Sequence, residues 1–384
     1  MLKPLSAYRP EGNKAHLVPS RSVDAYTPAQ LFDKLENNPY SFLQIIRPET
    51  EILMTNEDRF ERVRLRLDQF ISKGVFKLDK EPSYFLYEQS VAGRTYTGII
   101  GLLDVNKAKI HLHEKTLESR EDLFAEYLKI TGFQAEPVLV FGKATQSQKD
   151  IVSEIKKGGP TFDFYTTNEI GHRLWTVSSD LCNSLQEALK DQQEYFLADG
   201  HHRYGSTCKV AKALVGNKAA QCILTMYMDE EDIGIDSFER WLDTTGLDIG
   251  LEAFEHNFSI SKKTDDFESV DADLELFTQG QWYCLNYRGR LDKSLPPAYL
   301  MSEVLEPIFG IKDAKKDKRI TYLHQEPFDQ SSVMLSKGLN LGFRLPPVSV
   351  EVLKKTALEG GTMPPKSTYI EPKLRSGMLL HLFK

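Results

Sequence analysis

The run Asp199, Gly200, His201, His202, Arg203 gathers a carboxylate, a residue without a side chain, two imidazoles and a guanidinium at the end of the apolar stretch Tyr195–Ala198. Gly200 permits a positive φ or the close approach of a ligand to the backbone. A helix starting there would offer its unsatisfied N–H groups and the positive end of its dipole to a phosphate or carboxylate. His201, His202 and Arg203 would add donors of tunable charge, so the package reads as an anion cradle. Asp199 has three candidate roles: capping the helix, holding Mg²⁺, or orienting a histidine. Capping alone is the simplest account of an Asp-Gly pair, but packing seldom explains three adjacent cation-capable groups at one helix start. Neighbouring helix positions point in different directions, so at most one of the two histidines reaches a ligand directly. Paired metal ligands on a helix need i, i+3 or i, i+4 spacing, and no metal set is assigned.

Two other segments carry chemistry. In "HLHEKT", His111 and His113 fall on one face of an extended segment, and Glu114 would serve as a general base for an alcohol if burial raised its pKa. The alternative is a solvated turn before a helix near Ser119. In "PPKSTYIEPK", Lys366, Ser367, Thr368 and Lys373 supply ammonium and hydroxyl groups suited to a polyanion, with Lys366 preferred over Lys373. The alternative there is a proline-braced surface strand. In "NNPYSFLQIIRPE" only Asn38 and Arg47 are candidates for ligand contact; its apolar residues read as core.

The elements that must position these groups are legible in the pattern. "TPAQLFDKLENNP" is a short helix capped by Thr27, and "RFERVRLRLDQFISKG" is an amphipathic helix closed by Lys73 and Gly74. "SYFLYEQ", "RTYTGIIGLLDV" and "PVLVFG" read as strands, with the helix "SREDLFAEYLKIT" between the second and third. From Leu185 the order is helix, strand "EYFLA", the motif, helix "YGSTCKVAKALVG" and strand "AAQCILTMYM", a β-turn-α-β unit. Beyond it, "FSISKK" and "QWYCLNYR" are hairpin strands, "SEVLEPIFG" is a helix, and the apolar "GMLLHLF" docks the tail onto the fold. The expected division is an N-terminal α/β region (1–180), a motif region (181–245) and a C-terminal α+β region (246–384).

With 384 residues the chain can bury a sizeable core. Its formal charge of −7 argues against broad nonspecific binding to nucleic acid. Cys182, Cys208, Cys222 and Cys284 lack zinc-site spacing and read as reduced, buried thiols. Without an apolar leader or a run of membrane-spanning length, a cytoplasmic location is expected, with no membrane partner.

"GIIGLLDV" with "HLHEKTLESREDL", "EPVLVF", "YFLADGHHRY" and the ending "MPPKSTYIEPKLRSGML" together resemble the family DUF1015, whose function is not established. Two departures stand out. "LVPSRSVDAY" replaces that family's Pro-Pro-Tyr-Asp segment and leaves Arg21, Ser22 and Asp24 as substitutes. "SFERWL" retains only Arg240 of a Thr-His-Arg string. The turn itself is similar to the ligand-binding turn of the ParB and sulfiredoxin superfamily, which includes chromosome-partition proteins and a free serine kinase. That resemblance implies an α+β fold with mixed sheets and a ParB/sulfiredoxin-like β-turn-α-β unit, binding nucleotide phosphates. The implied ligand is ATP, ADP or another nucleotide, with Mg²⁺. Asp199, Glu114 and His202 would then be catalytic, and Gly200, His201, Arg203, Lys366, Ser367 and Thr368 would bind the cofactor. Three functions follow: a small-molecule phosphotransferase or nucleotide hydrolase, a noncatalytic nucleotide or metabolite sensor, and a ParB-like DNA-binding protein or nuclease. The last is disfavoured by the acidic balance and by the lack of a helix-turn-helix. The oligomeric state is open.

Overall fold

The computed structural model describes residues 1–47, 54–167, 169–247, 249–263, 272–289, 295–324 and 331–384. Pro48 and Glu49, at the end of "NNPYSFLQIIRPE", lie outside the described residues. The protein is a mixed α+β fold of two compact units: Met1–Ile233 with Pro372–Lys384, and Gly234–Glu371.

In the first unit the longer helices are α1 (Pro28–Asn37), α2 (Asn56–Ser72), α3 (Glu118–Thr131), α4 (Gln146–Lys157), α5 (Ser179–Ala188) and α6 (His201–Ala213), with a single helical turn at Leu43–Ile46. Helix α1 opens on a capping box of Thr27 and Gln30. A second box, Thr55 with Asp58, starts α2 three residues before the amphipathic run at Arg59. The sheet strands are β1 (Phe85–Val91), β2 (Arg94–Asp104), β3 (Lys109–His111), β4 (Val138–Gly142), β5 (Phe162–Tyr165), β6 (Gly171–Thr176), β7 (Glu194–Asp199) and β8 (Cys222–Asp229). They form one eight-stranded sheet in the order β3-β7-β4-β8-β2-β1-β6-β5. The pairs β7–β3 and β8–β4 are parallel and the rest antiparallel.

The strands on either side of the motif, β7 and β8, are therefore not neighbours; β4 lies between them. Tyr195 to Ala198 are all buried, which explains their unbroken apolar run: β7 is covered on both faces. The core on one side joins Leu86, Val138, Tyr195, Leu197 and Ile223. The C-terminal segment returns to this unit, His381–Leu382 pairing with Phe133–Gln134 and Leu380 bridging to Tyr8. Of the four thiols, Cys208 is only partly buried, unlike the other three.

The second unit is an antiparallel six-stranded sheet. Its strands are β9 (Phe238–Leu242), β10 (Phe258–Lys262), β11 (Leu274–Thr278), β12 (Gln281–Tyr287), β13 (Ile320–His324) and β14 (Leu341–Arg344), in the order β10-β12-β11-β14-β9-β13. Alternate residues of β9 serve different surroundings. Leu242 packs with Phe254, Leu276 and Phe343, whereas Trp241 packs with Phe277 and Trp282. The helix anticipated at "SEVLEPIFG" begins earlier, at Pro296, and passes through a π-turn at Met301–Leu305 before ending at Phe309. Proline suits the first helical position because its missing N–H has no partner there in any case. Among the described residues no helix is long and apolar enough to cross a membrane.

Candidate functional site

The motif sits where β7 becomes α6. The pairing of β7 with β4 slips between Leu197 and Asp199, so that Ala198 is an extra residue in the ladder. Such a bulge re-aims the side chains beyond it. Gly200 then takes the helix N-cap position at φ 97° and ψ 28°, with no side-chain cap. A Cβ here would lie 2.8 Å from Val138 Cγ1 and 3.1 Å from the guanidinium carbon of Arg203. Both the conformation and the space thus require glycine. The capping role considered for Asp199 is not what the chain uses, because Gly200 occupies that position and the carboxylate turns away to two cations.

Asp199 Oδ2 accepts from Arg203 Nη2 at 2.9 Å, and Lys373 Nζ stands 3.8 Å from Oδ1. Burial pushes the Asp199 carboxyl up, but Lys373, Arg203 and His201 outweigh it and hold the pKa below the ordinary carboxylate value. Arg203 is engaged on its other side as well. Nη1 donates to the main-chain carbonyls of Glu136 and Pro137 and lies 3.0 Å from Glu136 Oε1. Ser376 Oγ donates to Glu136 Oε2 at 2.7 Å. A polar chain therefore runs Lys373–Asp199–Arg203–Glu136–Ser376. Glu136, Ser376 and the leading place of Lys373 were missed in the sequence; the signal available was their presence in "EPVLVF" and "PKLRSGML", read there as strand and tail.

On the opposite side of the helix start, His201 meets His113. The parallel β3–β7 pairing ends at His111 with Phe196, and the chain continuing past it brings His113 to the turn. The rings of His113 and His201 lie edge to face, with centroids 4.6 Å apart. His111 instead stacks on Phe196, so the two histidines of "HLH" do different work. Both site imidazoles are buried, at 2 % exposure for His113 and 6 % for His201. Burial lowers the His113 pKa to about 4, opposed by a hydrogen bond to the Leu197 carbonyl and by Asp199. Burial, then the neighbouring His113, lowers His201 to about 3. Both are neutral at pH 7. His113 Nδ1 and His201 Nε2 have no hydrogen-bond partner among the described residues. With its other nitrogen donating to Leu197, His113 presents Nδ1 as a lone pair.

Glu114 lies with its Oε2 3.9 Å from His201 Nδ1, but its side chain is 56 % exposed. The burial set as the condition for a general base is thus not met there. His202 is half-buried beside His201. Lys366, Ser367 and Thr368 belong to the second unit. Lys366 has a positive φ of 58° and places its ammonium 4.8 Å from the Phe238 ring centroid; Ser367 Oγ donates to Pro364 O. Arg240 is buried in the same unit and donates to the carbonyls of Phe238 and Lys366. Asn38 donates to Leu17 O and accepts from Tyr40 N, and Arg21 stacks on Tyr26; both have local structural contacts. Among the described residues no group of three or more His, Cys, Asp or Glu side chains could hold a metal ion by itself.

The chain belongs to the family described as a protein of unknown function (DUF1015), whose model matches residues 2–307. No curated protein matches it. Among solved structures it is similar to a mutant of a free serine kinase in complex with ADP, with 12 % identity over 73 % of this chain and 91 % of that one, at a TM-score of 0.37. It is similar to SbnI with C-terminal truncation from Staphylococcus aureus, with 15 % identity over 71 % and 82 %, at 0.37. A conserved hypothetical protein from Pyrococcus furiosus is 12 % identical over 71 % and 90 %, at 0.34.

Proposed function

We propose that the turn Asp199–Arg203 holds the phosphate of a small phosphorylated molecule, a nucleotide in the first place, and that the protein acts on it as a phosphotransferase or nucleotide hydrolase. One observation carries this reading. A helix opened by a positive-φ glycine and flanked by two cations also carries buried imidazole nitrogens, of His113 and His201, that have no hydrogen-bond partner among the described residues. Leaving buried polar atoms unsatisfied costs about 1–3 kcal/mol each, which a ligand would recover. In this scheme Gly200 lets the phosphate approach the backbone, and Lys373 and Arg203 neutralise it. His201 and His113, being neutral, take part as hydrogen-bonding groups and not as charges. The turn belongs on this reading to a ParB/sulfiredoxin-like unit. Mg²⁺ brought by a nucleotide would find the ionised Asp199 at the turn, as suits an ion held mostly by phosphate oxygens and one or two carboxylates.

Glu114 is exposed and the Asp199 carboxyl is held below its ordinary value, so neither of these two meets the condition set for a general base. That favours, as a second reading, a sensor that binds the same ligand without turnover.

Thermal unfolding with ATP, ADP and pyrophosphate, each with and without Mg²⁺, tests the proposal. Ligand at a hundred times Kd stabilises by about 2.7 kcal/mol, a rise of about 5–10 °C for a domain of this size. Lys373→Ala and Arg203→Ala should each abolish most of the rise. No shift with any of these ligands sinks both readings; a shift without product formation selects the sensor.

A further inference from the structure

A second space adjoins the turn. A cavity of about 290 Å³ lies against α6, lined by the rings of Phe42, Phe124, Tyr127 and Phe133, by Ser206 and Thr207 of α6, and by Arg203, Glu136 and Ser376. Its size is at the lower limit for ligand pockets, so it suits one ring system and not a long chain. The rings at its wall are held edge to face, Phe42 against Phe133 at 88°, and leave apolar surface facing the space.

The polar lining is selective. Glu136 accepts from Ser376 on one oxygen and pairs with Arg203 on the other, yet a carboxylate has about four acceptor sites. Glu136 can therefore take a further N–H donor from a ring in the cavity. An acyl chain would leave that capacity unused, and a sugar would not match the four rings of the wall. Arg203 belongs both to the cavity and, through Asp199, to the phosphate turn.

We infer that this cavity receives the base of a nucleoside phosphate, and that Glu136 selects a base bearing an exocyclic amino group. The inference rests on the reading of the turn as a phosphate site. It adds what that reading lacks: which part of the ligand is recognised besides its charge. A base with a carbonyl at the same place would set an oxygen against the Glu136 carboxylate.

Calorimetric titration of pyrophosphate, ADP and IDP into wild type, Phe124→Ala, Ala135→Leu and Glu136→Gln separates the possibilities. ADP should bind at least about tenfold more tightly than pyrophosphate, and IDP about tenfold more weakly than ADP. Emptying the wall with Phe124→Ala, or filling the space with Ala135→Leu, should cost ADP about tenfold while pyrophosphate changes less than about twofold. Glu136→Gln should narrow the gap between ADP and IDP. If pyrophosphate binds and ADP binds no better, the inference falls while the phosphate turn stands. If ADP is preferred but both wall variants leave that preference intact, the base sits elsewhere and the inference falls again. If neither ligand binds, the phosphate turn fails and takes the inference with it.

Discussion

Acid should weaken the first unit through its two site histidines, and the size of the effect follows from their burial. His113 and His201 are held at about 4 and about 3 against an ordinary value of 6.5. Both values are lowered, so the unfolded chain takes up protons that the folded one refuses. The stability they confer is complete above pH ~6.5 and is lost as pH falls from there toward the folded-state values. At about pH 5.5 an unfolded histidine is some nine-tenths protonated, and the loss is about 1.4 kcal/mol for each, or about 3 kcal/mol for the pair. His172, buried and lowered to about 3 by burial and then by Arg375, adds its own share. A comparison with His113→Gln removes that background. Urea unfolding of both proteins at about pH 7.5 and 5.5 should show the variant losing about 1.4 kcal/mol less on acidification. Equal acid losses, within about 0.5 kcal/mol, would refute the claim that His113 is held neutral by its surroundings.

Gly200→Ala should destabilise by about 2–4 kcal/mol, since alanine must adopt a positive φ and its Cβ meets Val138 Cγ1 at 2.8 Å. Differential scanning calorimetry reads this as a lower Tm, and an unchanged Tm would contradict the steric argument. In the second unit, Glu239 is fully buried and accepts from Arg344 Nε and Trp241 Nε1, each at 2.7 Å. Glu239→Gln should cost about 3 kcal/mol, because the guanidinium loses its closest carboxylate. Adding Arg344→Met should restore part of that loss in denaturant titration; strictly additive losses would show that the pair is not coupled.

The strand, turn and helix around the motif were legible because each has a local cause: an apolar run, a glycine and a helix-forming sequence. The partners of the motif were not, because each arrives through distant pairing. His113 reaches His201 only because β3 lies parallel to β7. Ser376 reaches Glu136 across most of the chain, held by the mutual backbone hydrogen bonds of Ser376 and Ser20 and by the bond from Gly377 N to Ala135 O. Lys366 and Lys373 sit in similar local sequence, and nothing local distinguishes them. Lys366 lies in the second unit, whereas Lys373, just past Pro372, lies in the first and stands 3.8 Å from Asp199. That Asp199 does not cap the helix was hidden for a related reason. An Asp-Gly pair before a helix fits a cap equally well, and the single-residue slip at Ala198 that turns the carboxylate toward cations leaves no mark in composition.

The charges meeting at the turn also constrain what it can hold. Arg203 and Lys373 bring two positive charges, Asp199, Glu136 and the exposed Glu114 bring three negative ones, and the buried histidines bring none. Within that group the positive charges do not outweigh the negative ones. A bare polyphosphate would therefore gain little from long-range attraction, and its binding must come from short-range dipoles: the amides of a helix start and the cations at contact distance. Glycine at position 200 matters for that reason, since amides are useful only where the backbone can be approached. On the proposed reading, a nucleotide partly neutralised by its own divalent cation would suit the same balance. A nucleotide in this form would leave Arg203 shared between phosphate and Glu136, coupling the turn to the ring-lined cavity through one guanidinium.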